Sequence, residues 1–238
     1  MSPRPAVVVV VVGTGTEVGK TWVAERLLRA WRAAGLAVAA RKPAQSFAPG
    51  DATTDAERLG AASGEGAQTV CQPHRWYPVP MAPPMAAEAL GRVPPTLVDL
   101  VGEVIWPPQQ ADVGLVETAG GVRSPQAVDG DAVDLVAALR PEHVVLVADA
   151  GLGTINGVLL SVAALAPVVG PRAPTAPAVV LDRFDPGDEL HRRNRDWLTE
   201  QCGLDVTVVV PGALETLAGR LARRPATRPG ADRDGPAA

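Results

Sequence analysis

A single-domain α/β fold, with a mostly parallel sheet covered by helices on both faces, is predicted by three observations. Short β-branched runs recur along the 238 residues and alternate with stretches of helical spacing. The runs are apolar throughout, as expected when both faces of a strand are covered. The turn Gly13-Thr-Gly-Thr-Glu-Val-Gly-Lys-Thr21 sits between the first run and the first helix, the layout that aims backbone N–H groups and a helix N-terminus at phosphate oxygens.

Taken in chain order, the predicted strands are Ala6–Val12, Ala37–Ala40, Val113–Val116, His143–Ala148, Ala178–Leu181 and Val206–Val210. The first helix, Thr21–Ala34, puts Val23, Leu27, Ala30, Trp31 and Ala34 on one face, with Glu25, Arg26, Arg29 and Arg32 mostly elsewhere and Gly35 placed to end it. The Pro-, Gly- and polar-rich stretches Ser46–Thr54 and Trp76–Pro84 interrupt the rhythm and are read as long loops, functional or ordinary surface insertions. One domain is expected over residues 1–222. The segment 223–238 has almost nothing to bury and is expected to be a disordered tail. No internal repeat is found.

Charge and composition narrow the partners. With 22 basic and 26 acidic residues the chain has no broad cationic field, which argues against nucleic acid or an anionic membrane and for a small soluble substrate. The longest apolar run, Val7–Val12 after Ala6, is far short of the roughly 20 residues that span a bilayer. With no signal-peptide layout before it, a cytoplasmic protein is expected. Cys71 and Cys202 are far apart and outside any CxxC spacing, so neither a disulfide framework nor a thiolate metal site is expected.

In the glycine-rich turn, Lys20 would neutralise β- and γ-phosphate charge and the Thr21 hydroxyl would ligate Mg²⁺. A plain N-terminal helix residue is the competing reading of Thr21. The spacing departs from the common pattern, with five residues rather than four between Gly13 and Gly19. Mg²⁺ in such sites takes one or two carboxylates, so acids at strand ends are the next candidates. Glu117 follows a buried run and precedes Thr118-Ala-Gly-Gly121; its alternative is a solvated surface acid. Asp55 stands where a helix begins and could be an ordinary helix N-terminal acid, with Asp51 its rival. Lys42, in Arg41-Lys42-Pro43-Ala-Gln-Ser46, is a second lysine at a strand's carboxyl end, suited to stabilising charge as a phosphoryl group moves, or simply a surface lysine.

Together these pieces resemble the dethiobiotin synthetase family, in order along roughly residues 6–215. The resemblance is carried by Gly13–Thr21, whose extra residue is that family's own spacing, Lys42-Pro-Ala-Gln-Ser46, Asp55, Pro83-Pro-Met-Ala-Ala87, Glu117-Thr-Ala-Gly-Gly121 and Gly153-Thr-Ile-Asn156. It implies a P-loop NTPase-like fold and an ATP-dependent cyclo-ligase that closes a ureido ring on 7,8-diaminopelargonic acid with CO₂, through a carbamate and its phosphorylated form. It implies Lys42, Lys20 and Thr16 as catalytic residues, and Ser46, Gly153, Asn156 and Asn194 as substrate-binding ones. Gly15, Glu17, Val18, Gly19, Lys20, Thr21, Trp22, Asp55, Glu117, Gly120, Asp182, Arg183, Pro211 and Ala213 would bind the nucleotide, and Thr21, Asp55 and Glu117 would bind Mg²⁺. It implies a homodimer in which a Gly153–Asn156 loop reaches the diamine of the partner subunit.

Three positions depart from the family pattern. Thr118 replaces a glycine where backbone approaches phosphate, Gly157 replaces a histidine and loosens its loop, and Asp182 stands where an asparagine usually meets adenine. A carboxylate only accepts hydrogen bonds, so Asp182 leaves GTP or another nucleoside triphosphate open beside ATP. Rival readings are a ligase acting on an analogous diamine, a cobyrinic acid amidating synthetase, which would need a cysteine-nucleophile domain for which nothing after Val210 is long enough, and a ParA-like nucleotide switch, which would not need Lys42-Pro43 followed by Ser46.

Overall fold

The computed structural model describes residues 3–169 and 176–224. The main sheet has six parallel strands: β1 (Val7–Gly13), β2 (Val38–Arg41), β5 (Val113–Glu117), β8 (His143–Asp149), β9 (Ala178–Asp182) and β10 (Val206–Val208), in the order β10-β9-β8-β1-β5-β2. Two small pairs lie outside it: β3 (Gln45–Ser46) runs parallel to β4 (Trp76–Tyr77), and β6 (Pro125–Ala127) antiparallel to β7 (Gly130–Asp131).

The alternate valines of β1 feed two cores. Val7, Val9 and Val11 pack with Val23, Leu27 and Trp31 of α1 (Lys20–Ala33), Leu59 of α2 (Asp55–Ser63), Val70 of α3 (Ala67–Val70) and Leu217 of α9 (Ala213–Leu221). Val8, Val10 and Val12 face Ala86 of α4 (Pro83–Ala89), Leu100 of α5 (Leu97–Gly102), Leu135 of α6 (Ala132–Leu139) and Leu165 of α7 (Thr154–Leu165). On that second face α8 (Glu189–Asp196) continues into a π-helical turn carrying buried Leu198. Each buried valine contributes on the order of 1.5–3 kcal/mol by leaving water, which is why an all-apolar β1 holds the centre of the sheet.

Strands appear where the apolar runs predict them, but most end one residue later: β1 takes in Gly13, β2 Arg41, β5 Glu117, β8 Asp149 and β9 Asp182. α1 closes as expected, with Gly35 at φ 81° and the Leu36 N–H reaching back to the Trp31 carbonyl at 3.1 Å. Its buried face also includes Ala24 and Leu28, whereas Ala34 is exposed. The two predicted long loops are corrected: their first residues pair as β3 and β4, and α4 begins at Pro83, where the missing N–H of proline costs nothing. Arg223 and Arg224, assigned to the tail, are bonded to the sheet's N-terminal edge through the Arg223 carbonyl on His143 (2.7 Å) and Arg224 Nε on the Ala6 carbonyl (2.8 Å). The remainder of the expected tail, 225–238, lies outside the described residues.

Candidate active site

At the carboxyl ends of the strands opens a cavity of about 1090 Å³, walled by the β1–α1 loop, the ends of β2, β3, β5 and β9, the start of α2 and the segment Pro80–Pro83. Thr16, Glu17, Gly19, Lys20, Thr21, Trp22, Lys42, Ser46, Asp55, Glu117, Gly120, Asp182 and Arg183 all line it. Asp51 does too, and its carboxylate accepts the Ala48 N–H at 2.9 Å within its own turn, whereas Asp55 bonds to Thr21 and Lys42.

The β1–α1 loop needs its glycines. A side chain on Gly13 would meet Val18 at 2.9 Å and Lys20 at 3.0 Å, and Gly19 has φ 94° with its α-carbon against the Asp182 carboxylate, 1.9 Å from where a Cβ would stand. Lys20 folds back, its ammonium donating to the Gly15 carbonyl at 2.7 Å. Burial, then the nearby Lys42 charge, lowers the Lys20 pKa to about 8.

Behind the loop four side chains converge. Thr21 Oγ1 lies 2.9 Å from both Asp55 Oδ1 and Glu117 Oε1, between which its single proton is shared. Lys42 Nζ lies 2.8 Å from Asp55 Oδ2 and 2.5 Å from Glu117 Oε1. Lys42 is 2% and Glu117 0% exposed, so neither is a surface charge. Burial opposes the Lys42 ammonium, but the two carboxylates outweigh it and hold its pKa above the ordinary lysine value. Burial also opposes charge on Asp55, where Lys42 prevails and holds the pKa low; on Glu117 burial prevails and pushes it up. Lys20 and Lys42 are the only lysines in the chain.

Asp55 is the first residue of α2, whose N-terminus is fixed by a capping box between Thr54 and Glu57. The helix is also tied to β3, because buried Gln45 Oε1 accepts the Ala56 N–H at 2.9 Å. The loop after Glu117 is held by Gln126, whose amide donates to the Ala119 carbonyl at 2.7 Å and accepts its N–H at 2.9 Å. Gln45 lies within the quoted Lys42–Ser46 motif without a role of its own there, and Gln126 lies in no motif.

The all-oxygen set fits Mg²⁺: Glu117 Oε2 is buried without a partner, Thr21 Oγ1 is bracketed by carboxylates, and hard oxygen ligands suit that ion. Ser46 Oγ is likewise buried without a partner at the cavity wall.

Other expected site residues stand apart from the cavity lining: Gly15, Val18, Gly153, Asn156, Asn194, Pro211 and Ala213. Gly153–Asn156 is no loop; Gly153 caps α7 and the other three form its first turn, so Gly157 is a helical residue packed near Thr14 and loosens nothing. Asn194 is buried with its amide donating to the Ala150 and Gly151 carbonyls at 2.9 Å, so it braces the β8–α7 connection. The Thr118 side chain is buried, its Oγ1 3.4 Å from the Val11 carbonyl within the sheet. Cys71 is a buried free thiol whose pKa burial pushes up to about 12, and Cys202 is also free.

Comparison with known proteins agrees with this geometry. A family model described as an AAA domain matches residues 8–180. ATP-dependent dethiobiotin synthetases from Anaeromyxobacter dehalogenans strain 2CP-C (40% identical; 75% of this chain, 78% of that protein), Rhodococcus jostii RHA1 (39%; 90% and 89%) and Haloferax mediterranei (35%; 84% and 82%) are among its relatives. Solved structures share the fold: the signal recognition particle receptor FtsY from Elizabethkingia anophelis in complex with GDP, at TM-score 0.51 and 17% identity over 90% of this chain, and a DUF1611 family protein from Anabaena variabilis, at 0.51 and 18% over 91%. The chain spans 60% and 57% of those two chains.

Proposed function

Because the chain belongs to the ATP-dependent dethiobiotin synthetase family, we propose that it is the ligase that makes dethiobiotin in biotin synthesis, closing the ureido ring of 7,8-diaminopelargonic acid with CO₂ at the expense of ATP. The observation that carries this reading is the junction of Lys42, Asp55, Glu117 and Thr21 directly behind a lysine-bearing phosphate loop. A nucleotide switch would need the loop but has no use for a second buried lysine beside the cation ligands.

In the proposed reaction one amine of the diamine attacks CO₂ and loses a proton, giving a carbamate. A carbamate oxygen attacks the γ-phosphorus of ATP and ADP leaves. The second amine then attacks the carbamoyl carbon and loses a proton, phosphate leaves with the oxygen it received, and the ring closes. Lys20 lies along the phosphates, and Lys42 offers its ammonium to the carbamate oxygens as charge builds there. Thr16 and the unpaired Ser46 hydroxyl orient the diamine. Thr21, Asp55 and Glu117 would hold Mg²⁺, which supplies positive charge to the β- and γ-phosphate oxygens when bound. Glu17, Gly19, Trp22, Gly120, Asp182 and Arg183 line the nucleotide's part of the cavity.

We also propose a homodimer. Leu152, just before α7, is 93% exposed, and Leu160 and Leu159 in the middle of that helix are 64% and 39% exposed, large apolar side chains left open on the helix that Gly153 caps and that carries Asn156. Pairing there would let one subunit's Asn156 reach the other's diamine. Among the described residues no helix is long and apolar enough to cross a membrane, in keeping with small soluble substrates.

Phosphate release measured with ATP, bicarbonate and the diamine tests the reading. Turnover that requires both diamine and bicarbonate supports it; turnover stimulated only by DNA or a protein partner refutes it.

A further inference from the structure

Among the described residues three other than glycine have left-handed backbone: Glu17 (φ 58°), Arg140 (φ 47°) and Arg183 (φ 54°). Arg140 ends α6, an ordinary place for this conformation. Glu17 and Arg183 are 166 residues apart in sequence, yet are bonded to each other, Arg183 Nη2 donating to the Glu17 carbonyl at 2.9 Å. Residues with a Cβ avoid this region unless their surroundings hold them there. Here the end of β9 supplies that hold, Arg183 gripping Glu17, while the neighbouring Asp182 backs Gly19 of the same loop. The guanidinium is itself steadied between carboxylates, 3.7 Å from Asp149 and 3.9 Å from Asp182.

The bond fixes more than a distance. No peptide among the described residues is cis, and in a trans peptide the carbonyl and the following N–H point in opposite directions. Holding the Glu17 carbonyl on Arg183 therefore fixes the Val18 N–H pointing away from that guanidinium, and that N–H has no acceptor among the described residues. We propose that Arg183 is a positioning residue that locks the Glu17–Val18 peptide with its N–H presented to the nucleotide's phosphates, an inference that rests on the nucleotide-binding part of the proposed function. Without the lock, Glu17 relaxes to negative φ and its carbonyl oxygen turns toward the phosphates, replacing a donor with a repelling acceptor. This differs from a contact between Arg183 and the base.

The test uses the full-length protein, with ATP affinity by fluorescence titration and inorganic tripolyphosphate as a competing phosphate-only probe. Arg183→Ala should weaken both by a similar factor, about tenfold for one charge-assisted hydrogen bond. In a Glu17→Gly background, where left-handed backbone is free of strain, Arg183→Ala should cost less than about threefold. Circular dichroism checks that each variant is folded. A loss for ATP with tripolyphosphate unchanged would show a base contact and overturn the lock. So would no loss at all, or a loss of equal size in both backgrounds, the mark of a guanidinium touching phosphate directly. Failure of the wild-type protein to bind ATP would overturn the proposed function and the lock with it, a result distinct from these three.

Discussion

Lys42 is the cation that Asp55 and Glu117 share, and its replacement by methionine keeps much of the volume while removing the charge. Ring closure should fall at least about 100-fold, the scale of losing one preorganised charge at a reacting group. ATP affinity should stay within about threefold, because Lys20 and the loop amides remain. Melting should drop as well, since Glu117 would be left buried and unpaired, a situation that costs about 3–5 kcal/mol. Titration calorimetry and product assays below the melting range separate these effects, and unchanged turnover would remove Lys42 from the chemistry. At Asp182, an acceptor-only carboxylate at the cavity wall suits the donor edge of guanine at least as well as the amino group of adenine. Asp182→Asn is accordingly expected to shift turnover toward ATP in a comparison of ATP, GTP and CTP, and a strong ATP preference unchanged by the substitution would contradict that role. The four convergent residues were legible because each stands at a strand end or helix start with a residue type that phosphate and cation chemistry demand. The bracing roles of Gln45 and Gln126 and the grip of Arg183 on Glu17 were not, because they are side-chain bonds to backbone outside their own turn that only the folded arrangement creates.

Elements were legible where burial is two-sided. Apolar runs mark the centres of β1, β5, β8 and β9 but miss their last residues, because backbone pairing continues after the side chains turn polar; those last residues include Glu117 and Asp182. The β3–β4 pair was hidden because two-residue strands carry no period. Its Gln45 nevertheless ties down the start of α2, and hence Asp55, beside the proposed cation site. Gln45→Met removes the acceptor for the Ala56 N–H and should weaken Mn²⁺ binding about fivefold, while Gln45→Glu, which keeps an acceptor, should restore most of it. Direct Mn²⁺ titration by electron paramagnetic resonance reads this without turnover, and equal affinity in wild type and Gln45→Met would contradict it. At the other end of the sheet, burial lowers the pKa of His143, the first residue of β8, below its ordinary 6.5. The unfolded chain therefore takes up this proton first as pH falls through 6.5, and stability declines in the window from 6.5 down to the folded pKa. Melting temperature followed from pH 7.5 to 5.5 should fall less steeply in His143→Gln than in wild type; parallel slopes would exclude His143.

At the scale of the whole molecule, the strand order β10-β9-β8-β1-β5-β2 puts β1 between β8 and β5, so the phosphate loop emerges beside the carboxyl ends that carry Asp149 and Glu117. Loop and acids meet because of that order, which no local stretch of sequence specifies. The exposed leucines of α7 bear on the proposed homodimer: Leu160→Glu should convert a dimer to monomers by sedimentation and abolish ring closure while ATP still binds, and a fully active monomer would contradict the shared site. The most direct measurement of the central claim is isotopic. Incubated with ATP, Mg²⁺, 7,8-diaminopelargonic acid and ¹³C-bicarbonate, the wild-type protein should yield dethiobiotin one mass unit heavier, with the label in the ureido carbon and one ADP per ring, and Lys42→Met should yield almost none. ADP formed without labelled dethiobiotin would contradict the account.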